Sequence, residues 1–198
     1  MERVLFVCRR NIHRSKAAEI IFNHKAEQAG LDMRAESAGV RVSQPRLSSS
    51  HIVKALQRAG YSEATRTYSR EVDSDLLLSA QLAFGIEDDQ TDALFRNFPV
   101  LELNHLHALP RYVGRKIHVK DPEQIIRPSP LTWTSSFLPD SGATYWIKRH
   151  AGGIHPNDMQ GVDRVFDETV RNLDLLITPL VDKLAHPSQT PTPSLVAR

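Results

Sequence analysis

Five apolar residues from Val4 to Cys8 end at the chain's only cysteine, and six positions later Arg14 leads into a helical pattern. Between them lie Arg9, Arg10, Asn11, Ile12 and His13. A short apolar run bounded by charge is the pattern of a buried parallel strand. A helix starting after the following loop completes a strand–loop–helix unit, and open α/β sheets bind ligands at the carboxyl ends of their strands. One thiol, one guanidinium and a turn of backbone N–H groups are thereby gathered around a single point. That combination suits holding a phosphate-like dianion while sulfur attacks it.

The chemistry follows from the residue types. The N–H groups of the loop from Arg9 through His13 curl into an anion nest, and the dipole of the next helix adds partial positive charge. The same donors stabilise a thiolate, the form of sulfur that attacks. Arg14 offers a planar fork for two phosphate oxygens and grips an in-line transition state more tightly than the ground state. Ser15 can donate a hydroxyl hydrogen bond to the sulfur and help it leave. The competing reading is a buried cysteine that closes a core strand, with a surface arginine nearby. The strand–loop–helix context and Ser15 favour the functional reading.

Downstream, the pattern alternates. Ala17, Ala18, Ile20, Ile21, Phe22 and Ala26 recur at helical spacing until Gly30. Residues 33–37 read as a second strand, turned by Ala38-Gly39. Ser48, Ser49 or Ser50 caps a helix whose face is Ile52, Val53, Ala55, Leu56 and Ala59, ended by Gly60. Residues 81–86 read as a third strand, Asp88 and Asp89 open a helix to about Asn97, and Phe98–Leu103 reads as a fourth strand. This alternation predicts an α/β fold: an open four-stranded, mostly parallel sheet flanked by helices. From 123 to 158 the chain turns irregular and proline-rich, holding both Trp133 and Trp146, which reads as a long insertion or lid. Helical periodicity returns from about 159 to 184. The expected organisation is one α/β domain over 1–184 and a disordered tail over 185–198.

Composition closes off several classes. A formal charge of +2 and 7% aromatic residues give no basic arm and no stacking platform, so nucleic acid is not expected as a partner. No stretch approaches the ~20 apolar residues that span a bilayer, so no membrane association is expected. The apolar run after Met1-Glu2-Arg3 is too short for a signal-peptide core. A lone cysteine forms no internal disulfide and suits the reducing cytoplasm. It also excludes a multi-cysteine zinc site, and no histidine pair has an HExxH-like arrangement, so no metal and no cofactor are expected. The sequence leaves the oligomeric state open.

Taken together, Val4-Leu5-Phe6-Val7-Cys8, Asn11-Ile12, Arg14-Ser15, Ala18-Glu19, Ser37-Ala38-Gly39 and the segment Asp88 to Pro99 resemble the low-molecular-weight protein tyrosine phosphatase family, which shares its fold with arsenate reductases. The resemblance spans roughly residues 3–125 and 158–183. It implies that Cys8 is the nucleophile, Arg14 the phosphate clamp and Ser15 the thiolate's partner. It further implies that Asn11 and Ser37 bond to each other and hold the loop in shape. Asp121-Pro122, after the strand-like Ile117-His118-Val119, matches by order the family's general acid. A carboxylic acid there protonates the leaving oxygen and later activates water. Asp-Pro is also a common turn opener, which is the plainer alternative.

Four positions depart from the family pattern. Arg10 stands where the family has glycine, His13 where it has a second cysteine, and Glu123 where it has an aromatic residue after Asp-Pro. The segment after Gly39 also lacks the aromatic that flanks the substrate. These losses make phosphotyrosine itself a poor candidate substrate. Arg9, Arg10 and His13 make the rim basic and favour a multiply anionic ligand, unless these side chains simply point into solvent. Trp133 and Trp146 either supply a replacement wall or anchor their segment to the core. The expectation is a cysteine-dependent phosphatase acting on a phosphorylated protein or a small phosphoester through a phosphocysteine on Cys8. One alternative is a weakly active or inactive phosphate-binding module. Another is an arsenate reductase borrowing an external thiol, since one cysteine cannot run an internal relay.

Overall fold

The computed structural model describes residues 1–126 and 158–187. Four strands form one sheet in the order β2-β1-β3-β4, every neighbouring pair parallel. They are β1 (Glu2–Cys8), β2 (Met33–Gly39), β3 (Leu82–Gly85) and β4 (Leu106–Ala108). Between and after them run α1 (Arg14–Gln28), α2 (Ser50–Arg58), α3 (Ser74–Ser79), α4 (Asp88–Asn97), α5 (Leu109–Tyr112), α6 (Pro122–Ile126) and α7 (Met159–Ala185).

The central strand explains why the sheet is covered on both faces. Successive side chains of a strand point to opposite sides, so Val4, Phe6 and Cys8 join the core built with α1, α2 and α7. Leu5 and Val7 join a second core containing Leu77 of α3 and Leu94 of α4. Phe6 stacks on Phe84 of β3 with ring centroids 5.7 Å apart and meets Phe22 of α1 edge-on. α7 packs on α1 and α2, burying Val162, Phe166, Val170, Leu173 and Ile177 at helical spacing. Ser49 is the cap of α2, its Oγ accepting the His51 N–H at 3.2 Å.

The fourth strand is displaced from its expected place. Phe98–Leu103 forms turns, and the strand is Leu106–Ala108. Pro99 has no N–H to give a ladder, Val100 is 88% exposed, and only Leu103 of this run is buried. Ile117-His118-Val119 is likewise not a strand but an extended loop, fixed by the Val119 N–H donating to Glu87 Oε1. α3, α5 and α6 have no counterpart among the expected elements; each is too short to show an amphipathic period. Asp73 caps α3 by accepting the Leu76 N–H at 2.8 Å. Trp133 and Trp146, most of the 123–158 segment, and the tail beyond 187 lie outside the described residues.

Candidate active site

Cys8 closes β1 opposite Gly39, the last residue of β2. The loop that follows stays against β2 through the Val40 N–H to Cys8 O at 3.0 Å and the Arg41 N–H to Arg9 O at 2.9 Å. Only glycine permits this approach: a Cβ on Gly39 would lie 2.9 Å from the carbonyl carbon of Arg10 and 3.0 Å from the Asn11 nitrogen. The turn is completed at Asn11, whose φ of 56° lies in the left-handed region that asparagine tolerates better than most residues. Among the described residues, the N–H groups of Arg9, Arg10, Ile12 and His13 donate to no protein acceptor. α1 then begins at Arg14 with no side-chain cap. The loop and the first turn of the helix thus leave a run of donors uncommitted, as an anion nest requires.

Asn11 organises the interior of the loop. Its Nδ2 donates to Ser15 Oγ at 2.9 Å and to Ser37 Oγ at 2.8 Å, while its Oδ1 accepts the Arg70 N–H at 3.0 Å. Each serine hydroxyl has accepted a bond and turns its own proton onward. Ser15 donates to Cys8 Sγ at 3.0 Å, and Ser37 donates to Glu19 Oε2. The Asn11 N–H also reaches Cys8 Sγ at 3.3 Å. The sulfur therefore faces two donors inside a fully satisfied buried network, which holds its geometry rigidly.

Arg14 is buried and its guanidinium points across the mouth of the loop. Nη2 donates to Asp121 Oδ2 at 3.0 Å, and Nη1 to the Val119 carbonyl at 3.3 Å. Asp121 sits just before α6, its Oδ1 accepting the Glu123 N–H at 3.1 Å, with His13 Nδ1 3.8 Å away. Burial pushes the Asp121 carboxyl up. That is outweighed by the His13 ring, the Arg14 guanidinium and the Glu123 N–H, which bring it down to about 2.

The site residues expected from sequence are distributed unevenly. Cys8, Asn11, Ser15 and Ser37 share one buried hydrogen-bond network and Arg14 and Asp121 form a second buried group, while Ile12 half-buries its side chain and its carbonyl accepts the Ser49 N–H. Arg9 is exposed. Arg10 does not face solvent unpaired: its Nη1 bonds Glu123 Oε2. His13 turns inward against Phe166, ring centroids 5.3 Å apart. The basic rim is therefore built differently from the expectation. Arg9 is joined by Arg41, Arg96 and Lys120, which line a cleft of about 400 Å³ beside Arg14 and Asp121. Glu19, Arg70 and Glu87 are absent from the expected set, since nothing in their spacing marks them as neighbours of the loop.

Against known proteins, residues 3–129 match the model of the low molecular weight phosphotyrosine protein phosphatase family. The chain belongs to that family, and family and fold together support a phosphatase. No curated protein matches it. Among solved structures it is similar to a low molecular weight protein tyrosine phosphatase from T. tengcongensis, at 24% identity and TM-score 0.68, over 92% of this chain and 99% of that one. A low molecular weight phosphotyrosine phosphatase from Vibrio cholerae is 20% identical with TM-score 0.71, over 95% and 99%. YwlE arginine phosphatase from Geobacillus stearothermophilus is 21% identical with TM-score 0.65, over 97% and 99%.

Proposed function

We propose that this chain hydrolyses phosphate monoesters, on proteins or small molecules, through a covalent phosphocysteine on Cys8. The observation that carries the reading is the convergence on one sulfur: Ser15 Oγ and the Asn11 N–H donate to Cys8 Sγ, with Arg14 and Asp121 paired across the same loop. The phosphate dianion sits in the nest of free N–H groups, where the helix N-terminus favours negative charge. It takes the Arg14 guanidinium from Asp121. That exchange removes a cation from Asp121 and places a dianion beside it, so the carboxyl rises from its low resting value into the protonated form.

Two steps follow. Cys8 thiolate attacks phosphorus as the ester P–O bond breaks, and Asp121 gives its proton to the departing oxygen. Water then attacks the phosphocysteine, Asp121 takes a proton from it, and the P–S bond breaks to return thiolate and inorganic phosphate. Ser15 steadies the sulfur as it leaves. Arg14 gains strength as charge spreads over the equatorial oxygens, which lowers the barrier rather than only tightening binding. Because the sulfur must stay reduced, the cytoplasm suits this chemistry.

A second reading, binding of a phosphorylated partner without turnover, has one observation behind it: the uncommitted N–H groups of the loop hold a phosphate without any part for Asp121. Turnover of p-nitrophenyl phosphate separates the two. Hydrolysis that disappears in Cys8→Ser supports the enzyme; vanadate binding with no hydrolysis by the wild-type chain supports the binder.

A further inference from the structure

The cleft beside the phosphate loop carries more positive charge than one phosphate needs. Its lining includes Arg9 from the loop, Arg41 two residues beyond β2, Arg96 from the last turn of α4, and Lys120 just before Asp121. Arg9 and Arg41 are held side by side by the backbone bond between them. Among the described residues, no carboxylate lies within ion-pairing distance of any of these four side chains. The three acids that share the cleft are already engaged. Asp121 meets Arg14, Glu87 accepts the Val119 N–H, and Asp89 accepts a bond from Gln90 Nε2. Gln90, Asn97 and Gln124 add neutral polar groups, and among the described residues no aromatic side chain lines the cleft. An anion would find four cations outside any ion pair close to the reacting phosphate, outnumbering the two carboxylates, Glu87 and Asp89, that share the cleft without a cation of their own among these four.

We propose that this cleft is a subsite for a second anionic group, so that the preferred substrate is a phosphoester bearing another phosphate or carboxylate close to the scissile one. The proposal rests on the phosphatase reading for the position of the first phosphate. It assigns the second anion to Arg9, Arg41, Arg96 and Lys120. Arg10 and His13 take no part, because Glu123 and Asp121 already hold them.

Binding of non-hydrolysable phosphonates to the wild-type chain tests the subsite without needing turnover. Benzylphosphonate is compared with its meta-carboxylate derivative by calorimetry. Each exposed ion pair is worth roughly 0.2–1 kcal/mol, so two or three of them predict about tenfold tighter binding of the carboxylate. The preference is expected to shrink in 0.5 M salt and to fall severalfold in the Arg41→Ala/Arg96→Ala variant, which keeps Arg9 and Lys120. Equal affinity of the two phosphonates in low salt overturns the subsite while leaving the phosphatase intact. A preference undiminished by the double substitution overturns the assignment to these residues. The source of the anion is read from turnover: a phosphotyrosine peptide flanked by glutamates against one flanked by glutamines, beside carboxyphenyl phosphate against phenyl phosphate. Preference confined to the peptide pair points to phosphoproteins, and preference confined to the small pair points to small bisanionic esters. No preference in either pair contradicts the proposal.

Discussion

Arg10 and Glu123 form an ion pair that ties the phosphate loop to the first turn of α6. In the sequence these residues stand out as two separate departures, a charged residue in a glycine position and an acid in an aromatic position. In the fold they are one interaction, 113 residues apart along the chain. Lying beside Asp121, the pair holds the acid-bearing turn against the loop that carries the sulfur.

The pair is testable by a double-mutant cycle. Arg10→Ala and Glu123→Ala are each expected to lower kcat more than they raise KM, since both loosen the placement of Asp121. Their combination is expected to cost little more than either alone. For a half-buried pair the coupling should be about 1 kcal/mol. Fully additive losses would show that the two side chains act independently.

Asp121 predicts how stability depends on pH. Its folded value of about 2 lies below the ordinary aspartate value of 3.8. A carboxyl depressed in the folded state stabilises the fold above its unfolded value and loses that contribution as pH falls through the folded value. The window is therefore between about pH 4 and pH 2, and the contribution is roughly 2 kcal/mol. Urea unfolding from pH 6 to pH 2 should show a steeper loss for the wild type than for Asp121→Asn. Parallel curves would contradict the assignment.

Asn11 is expected to be the most sensitive support in the loop. Asn11→Ala removes two donors and one acceptor from a buried network and leaves the Arg70 N–H unpartnered. Each stranded buried polar group costs about 1–3 kcal/mol. Thermal unfolding should report the loss, and kcat should fall as well, because Ser15 no longer has its hydroxyl turned toward the sulfur. A stable variant with undiminished kcat would show that the network is incidental.

Gly39 supports the same loop from outside. Gly39→Ala forces a methyl group against the backbone at Arg10 and Asn11. We expect activity to fall by at least tenfold while the sheet stays folded, read as lost turnover with unchanged far-ultraviolet circular dichroism. Wild-type turnover in this variant would mean that the loop has room to yield.

Much of this architecture is legible in the sequence because it is local. The apolar run into Cys8, the helix after Arg14 and the cap at Ser49 depend on neighbours within a few residues. The fourth strand is not legible, because Phe98–Leu103 carries apolar residues in a turn that Pro99 forbids from pairing, whereas Leu106-His107-Ala108 is too short to announce itself. The site divides the same way. Cys8, Arg14 and Ser15 flank one short loop and can be read together. The Arg10–Glu123 pair and the grouping of Arg9 with Arg41, Arg96 and Lys120 exist only because separate segments meet. Pairing across such distances leaves no periodic trace in a single sequence.

The phosphatase reading turns on Cys8 carrying the phosphoryl group. Rapid acid quench during turnover of a radiolabelled aryl phosphate, followed by peptide mapping, tests it directly. The expected result is label on Cys8 at up to one phosphoryl group per chain. More label should accumulate in Asp121→Asn than in the wild type when the leaving group departs without acid help, because water attack then loses its base. Hydrolysis that proceeds with no label on Cys8, or that persists in Cys8→Ser, would contradict it.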